Sequence, residues 1–198
     1  MRILGISASP RQGQGSFLAL QAALEAARQA VPGLETSLVE LADKDINGCL
    51  ACGHCAKGLA CSQSDDFPGL LGELTAPGLA GLILATPVYF GGMTSQAKAF
   101  LDRAVILRRN GFRLRDRVGG VIAVGGFRNG GQELAIQGIH AAMLTQDMII
   151  VGDGMPTSHF GGTCFSGGPG GMAVDEFGLT TARGLGRRVS ELAAKIWG

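Results

Sequence analysis

Arg2-Ile3-Leu4-Gly5-Ile6-Ser7-Ala8-Ser9-Pro10-Arg11-Gln12-Gly13-Gln14-Gly15-Ser16-Phe17 changes character twice within sixteen residues. Residues 2–7 form an apolar run of strand length. Residues 8–15 hold one hydroxyl, an arginine and two glycines, with Ser7 and Ser16 on either side. From about Ser16 to Ala30, Leu20, Leu24 and Ala27 recur at helical spacing, continued by Val31. A helix that starts after such a loop presents unpaired backbone N–H groups and the positive end of its dipole, which suits a phosphate dianion. Ser7, Ser9 and Ser16 can donate hydroxyl hydrogen bonds there, Arg11 can supply charge, and Gly15 lets the backbone approach closely. The segment lacks the Gly-Lys-Ser/Thr ending of a triphosphate-binding loop and is not the Gly-x-Gly-x-x-Gly dinucleotide fingerprint. A serine-rich capped turn without a ligand fits the same residues.

Outward from this stretch, strands and helices alternate. Glu35 to Leu41 reads as a second strand, and Gly81 to Thr86 as a third, apolar enough to be buried on both faces. Ala97, Leu101, Ala104 and Val105 mark one face of the helix that follows. Gly120 to Val124 predicts a fourth strand, about Gly131 to Thr145 a helix, and Met148 to Val151 a fifth strand. Leu179, Ala182, Leu185, Val189, Leu192 and Ile196 describe a closing amphipathic helix, with Asp175 placed to cap it. The pattern predicts an α/β fold: one domain over residues 1–198, a doubly wound five-stranded parallel sheet with right-handed crossovers and helices on both faces.

Composition bounds the function. Apolar residues are 46% and charged residues 17% of the chain, with a formal net charge of +1, so the overall field favours neither nucleic acid nor an acidic partner. Pro77 and Pro87 bound the most apolar run, which is too short to span a membrane. No signal-peptide pattern precedes the first strand, and the expected location is the cytoplasm. Thirty-three glycines cluster at strand ends. Of five cysteines, four fall between Cys49 and Cys61, a cluster that in a reducing compartment points to metal or redox chemistry.

Ligands of doubly wound sheets bind outside the carboxyl ends of the strands. After the third strand stands Thr86-Pro87-Val88-Tyr89-Phe90-Gly91-Gly92-Met93-Thr94-Ser95, with the only tyrosine of the chain beside a phenylalanine. Pro87 through Gly91 would grip a planar ring by backbone and stacking; two aromatics sealing the sheet end is the alternative. After the fourth comes Gly125-Gly126-Phe127-Arg128-Asn129-Gly130-Gly131, whose glycines permit close approach and whose Arg128 could stabilise a negative ring. A flexible hairpin with a solvated arginine fits too. Taken together, one phosphate loop and two ring-gripping loops describe a mononucleotide with a large flat ring, and FMN fits.

Cys49-x2-Cys52-x2-Cys55-x5-Cys61 wraps a loop, at about 47–65, around one centre. Its first three positions match the spacing of bacterial ferredoxin runs, and the fourth is near enough to ligate the same cluster. The spacing favours a 4Fe–4S cluster; zinc is the rival, and disulfides or free thiols a further alternative. Cys164, His54 and His140 read as structural or loop residues, and His159 as a residue that could reach a flavin or a neighbouring subunit. Arg103, Arg108, Arg109, Arg113, Arg115 and Arg117 read as a solvated basic surface.

Gly5 to Arg11, the cysteine motif with Asp65-Asp66 after it, Thr86 to Phe90, Lys98 to Arg103, Gly125-Gly126, Gly130 to Glu133 and Gly184 to Arg188 together resemble the iron–sulfur flavoproteins of anaerobic microbes, within the NADPH-dependent FMN reductase group. The resemblance implies a flavodoxin-like fold of strand order 2-1-3-4-5 and one FMN and one 4Fe–4S cluster per chain. It also implies homodimers or homotetramers in which a cluster lies near another chain's flavin. Carried onto this sequence, the phosphate falls to Ser7, Ser9, Arg11, Ser16 and Phe17, and the ring to Pro87, Tyr89, Phe90 and Gly91 with Gly126 and Arg128 nearby. The family's usual glycine-asparagine-threonine or -serine helix start is replaced by Gly15-Ser16-Phe17, with one residue added. The expected function is electron transfer between a ferredoxin-type donor and an acceptor. The alternatives are an NAD(P)H-dependent FMN or quinone reductase with a structural or zinc-binding cysteine loop, and a zinc-stabilised binding module without flavin.

Overall fold

A computed structural model describes residues 1–198. Strand β1 (Arg2–Ser7) is followed by helix α1 (Gly15–Ala30), strand β2 (Glu35–Glu40), the cysteine loop, and helix α2 (Phe67–Leu74). Strand β3 (Leu79–Pro87), helices α3 (Ser95–Arg103) and α4 (Val105–Arg109), strand β4 (Val118–Gly125) and helix α5 (Gln132–Leu144) come next. The chain closes with β5 (Ile149–Ile150), β6 (Gly162–Phe165) and the long α6 (Glu176–Trp197). All strand pairings are parallel, in the order β2-β1-β3-β4-β5, with β6 also on β4.

Side chains alternate across the sheet as strand geometry requires. Leu4 and Ile6 of β1, Leu82 and Leu84 of β3, and Val121 and Ala123 of β4 face a core closed by α2 through α5. Ile3, Ile83, Ala85, Ile122 and Val124 face the opposite core, closed by α1 and α6. The central strands are therefore buried on both sides, which explains why they read as unbroken apolar runs.

The sequence pattern located every strand but one. The fifth is only two residues long, and after an excursion over residues 151–161 a sixth, β6, takes up pairing further along the same edge of β4. Its four residues are too few to show a period, and Cys164 sits fully buried in it. Asp175 does cap α6, accepting from the Gly178 N–H at 3.1 Å. No helix is long and apolar enough to cross a membrane.

Helices α1 and α6 touch so closely that a β-carbon on Gly186 would lie 1.9 Å from the Ala23 carbonyl oxygen, with no flexible side chain to yield. Gly186→Ala should therefore lower stability by about 1–3 kcal/mol, read as a reduced urea midpoint with an unchanged slope.

Candidate functional site: two loop clusters joined by helix α3

The register sets Ser7 beside Ala85 and Pro87 beside Val124, so the loops after β1, β3 and β4 leave the sheet side by side. One buried threonine ties two of them together. Thr94 donates its hydroxyl to the Ala8 carbonyl at 2.6 Å and its N–H to Thr86 Oγ1 at 3.2 Å. The same hydroxyl accepts from Ala97 N–H and caps α3. The Val88 N–H donates to the Val124 carbonyl, joining the second loop to the fourth strand.

In the first loop, Ser9 closes a tight turn, accepting from the Arg11 N–H and donating to the Arg11 carbonyl, both at 3.1 Å. Ser7 and Ser16 are buried, and the Ser7 hydroxyl has no partner at all. Gln14 offers no side-chain cap to α1, so the first-turn N–H groups stay open. Gly15 packs on Val124 and Met172, Phe17 lies half-buried beside β2, and Arg11 is exposed. The sequence reading missed Glu40, whose carboxylate accepts from the Gly13 N–H at 2.9 Å. One amide of this loop thus already holds an anionic oxygen.

The second loop is a two-residue hairpin. Tyr89 and Gly92 exchange both backbone hydrogen bonds, with Phe90 and Gly91 at φ of 50° and 79° between them. That is the left-handed pair of a type I′ turn, unfavourable for phenylalanine, and it holds the Phe90 ring fully in solvent beside half-exposed Tyr89. The third loop is organised by buried Gln132, a residue whose part in the site went unread in the sequence. Its Oε1 accepts from Gly130 N–H at 2.8 Å and its Nε2 donates to the Phe127 carbonyl at 2.7 Å. Gly126 stays open, with nothing near its missing β-carbon. Arg128 is ion-paired to the buried Asp175, its guanidinium between the Phe165 and Phe177 rings.

The cysteine loop hangs at the other end of α3. Cys49, Cys52, Cys55 and Cys61 all line one cavity, with Arg103, Ile106 and Arg109 as its floor. The basic surface expected over residues 103–117 is corrected at two positions. Arg103 is buried, with 1% of its side chain exposed, and Arg117 is half-buried over the Trp197 ring. Arg103 forms a two-pronged pair with Asp65 at 2.7 and 2.9 Å, donates to the Asn47 carbonyl at 2.9 Å and to Cys61 Sγ at 3.2 Å, and stacks on Phe67. Asp65 and Asp66 also accept from the Asn47 and Asp45 N–H groups, fastening the base of the loop. Arg109 donates to Cys55 Sγ at 3.3 Å, and Asn110 donates to the Cys55 and Gly58 carbonyls. Ser62 bonds Cys52 Sγ at 3.2 Å; with the His54 N–H it holds that thiol below its ordinary pKa. His159 has its Nδ1 3.3 Å from buried Asp153 and its ring edge-on to Phe177, the ring that Arg128 also meets.

The family model for NADPH-dependent FMN reductase matches residues 1–162. An iron–sulfur flavoprotein of Methanocaldococcus jannaschii is 44% identical over 99% of both chains. Another, from Methanosarcina thermophila, is 44% identical over 99% of this chain and 93% of its own. The chain belongs to the iron–sulfur flavoproteins of the NADPH-dependent FMN reductase family. Its flavodoxin-like fold is shared with a WrbA-like flavodoxin from Agrobacterium tumefaciens, TM-score 0.65 at 20% identity over 98% of each chain.

The residues of this flavoprotein fit both groups that the family implies. An orphaned buried hydroxyl and an uncapped helix start suit a phosphate, and the open rim formed by Tyr89, Phe90 and Gly126 suits a flat ring. The four thiols of Cys49, Cys52, Cys55 and Cys61 line one cavity, a donor set whose chemistry suits an iron–sulfur cluster and equally a structural zinc.

Two tests follow from this geometry. Burial pushes the Cys164 thiol up to about 12, so in metal-free native protein at pH 8 an alkylating reagent should modify the four loop thiols first. Mass spectrometry should show the fifth adduct only after unfolding. The Arg103 guanidinium holds the Asp65 carboxyl well below the usual carboxylate range. Its stabilisation is thus complete above the unfolded value of about 3.9 and is lost as pH falls below that. Asp65→Asn should cost about 3–5 kcal/mol at neutral pH and flatten the acid limb of a stability–pH profile.

Proposed function

We propose that the chain binds FMN at the ends of β1, β3 and β4 and a 4Fe–4S cluster on Cys49, Cys52, Cys55 and Cys61, and passes electrons between a ferredoxin-type donor and an acceptor. The observation that carries this reading is the ring of four thiols about one cavity, three of them already met by N–H or O–H groups. When bound, FMN takes up two electrons as a hydride and returns them singly, and a cluster carries one at a time.

The chain's own residues bind and orient. Ser7, Ser9, Ser16, Gly15 and Phe17, with Arg11 for charge, hold the phosphate; Pro87, Val88, Tyr89, Phe90 and Gly91 wall the ring, and Gly126 admits it closely. Arg128, engaged by Asp175, steadies the third loop more than it reaches the ring. Helix α3 joins the two clusters, and its nine residues span about 14 Å from Thr94 to Arg103. Exposed Tyr89, Phe90 and Phe127 at the rim suit cover by a second copy, as a homodimer or homotetramer. Four clustered thiols suit a reducing, cytoplasmic setting.

A second reading, favoured by the family's description, is NAD(P)H-dependent reduction of FMN or a quinone with zinc in the cysteine loop. Protein purified without oxygen should carry about one FMN and about four iron and four sulfide per chain, and reduced ferredoxin should bleach its spectrum. FMN with zinc, bleached by NADPH, would establish the second reading. Ser7→Ala should weaken FMN binding about tenfold, roughly 1.4 kcal/mol. Because that hydroxyl is unpartnered in the protein alone, flavin-free stability should not fall.

A further inference from the structure

We propose that Arg109 and Arg103 raise the reduction potential of the iron–sulfur centre, Arg109 more strongly, by donating N–H hydrogen bonds to the Cys55 and Cys61 sulfurs. The inference rests on the cluster assignment above and concerns what these two side chains do to it. Arg103 Nη2 lies 3.2 Å from Cys61 Sγ and Arg109 Nη1 3.3 Å from Cys55 Sγ, both distances short for a bond to sulfur. Neither arginine is a ligand, and both reach the loop from helical positions outside it, at the end of α3 and the end of α4.

An added electron makes a thiolate-bound centre more negative, so a donor or cation fixed at its sulfurs stabilises the reduced form and raises the potential. The two arginines differ in how much of their charge is free to act. Arg103 is neutralised by a two-pronged bond to Asp65, leaving a directed N–H and a small net field. Arg109 is exposed and forms no ion pair, so it brings both a donor and an uncompensated charge. Cys52 has the Ser62 hydroxyl and the His54 N–H but no charged donor, and no side-chain donor reaches Cys49. The centre is therefore held in an asymmetric field, with the cationic donors on the side of Cys55 and Cys61.

Arg103 is too deeply embedded for a clean test, since its loss breaks the buried pair and loosens the loop. Arg109 can be removed alone. Arg108 is the control: it is also exposed, one residue away, but its guanidinium lies over the Phe112 ring. Iron and sulfide are first measured on the wild-type protein; their absence there sinks the cluster assignment itself. With the cluster present, dye-mediated redox titration read by electron paramagnetic resonance gives the potential of each loaded variant. Arg109→Ala should lower the one-electron reduction constant at least tenfold, about 59 mV, with Arg109→Lys in between and Arg108→Ala close to wild type. An unchanged potential in Arg109→Ala, or an equal fall in Arg108→Ala, would overturn the inference while leaving the cluster assignment intact. Should Arg109→Ala load no iron, Arg109→Gln is titrated in its place: a lowered potential supports the role of the charge, and a wild-type potential overturns it.

Discussion

A guanidinium with almost none of its side chain in water needs a counter-charge at bonding distance, because desolvation otherwise costs more than the fold can supply. In this protein that guanidinium belongs to Arg103, and Asp65 meets it with both carboxylate oxygens. Between β2 and α2 the chain has no regular structure beyond one turn of 3-10 helix at His54–Lys57. What fastens it is this pair, together with Asn110 and the carboxylates that bind back to Asp45 and Asn47. Four thiols could not stand around one cavity if their loop were free to move, so the geometry of that cavity depends on a residue thirty-eight positions from Asp65.

Helix α3 transmits that order. Its first turn is capped by Thr94, which also holds the loops after β1 and β3, and its last residue is Arg103. A single rigid element thus carries the anchor of one loop cluster at its start and of the other at its end. Displacing either end shifts the other, which makes relative placement of the clusters a property of how α3 packs its own Phe100 against Phe67 of α2, both fully buried.

The parts of this arrangement that were legible in the sequence are those governed by local rules. Apolar runs of strand length gave β1, β3 and β4, helical spacing gave α1 and α6, and short-range turn chemistry marked the three loops at the strand ends. Cysteine spacing marked the loop whose four thiols line one cavity, since groups that share a site from one loop must recur within a few residues. The missed features depend on partners distant in the chain. Nothing local separates Arg103 from Arg108, five positions on; only the approach of Asp65 makes one of them buried. Arg128 pairs with Asp175 from across the fold, a contact that its glycine-rich loop does not announce. Glu40 and Thr94 act through backbone groups of other segments, and Gln132 reaches the Cys164 carbonyl as well as its own loop, uses of polar side chains that leave little pattern in their own neighbourhood.

Both rims of the sheet are poor templates for a further strand. On one side β2 carries a glutamate at each end, and Arg28 bonds to Thr36 along it. On the other, β5 and β6 share the edge of β4, parted by residues 151–161. Neither rim offers the long, flat ladder of unpaired amides on which another chain could polymerise. The protein can therefore display bare aromatic rings at one end without inviting strand-to-strand association. Interrupting the fifth strand also confines irregular backbone to the sheet's margin, where insertions could accumulate without shifting the strands that aim the loops.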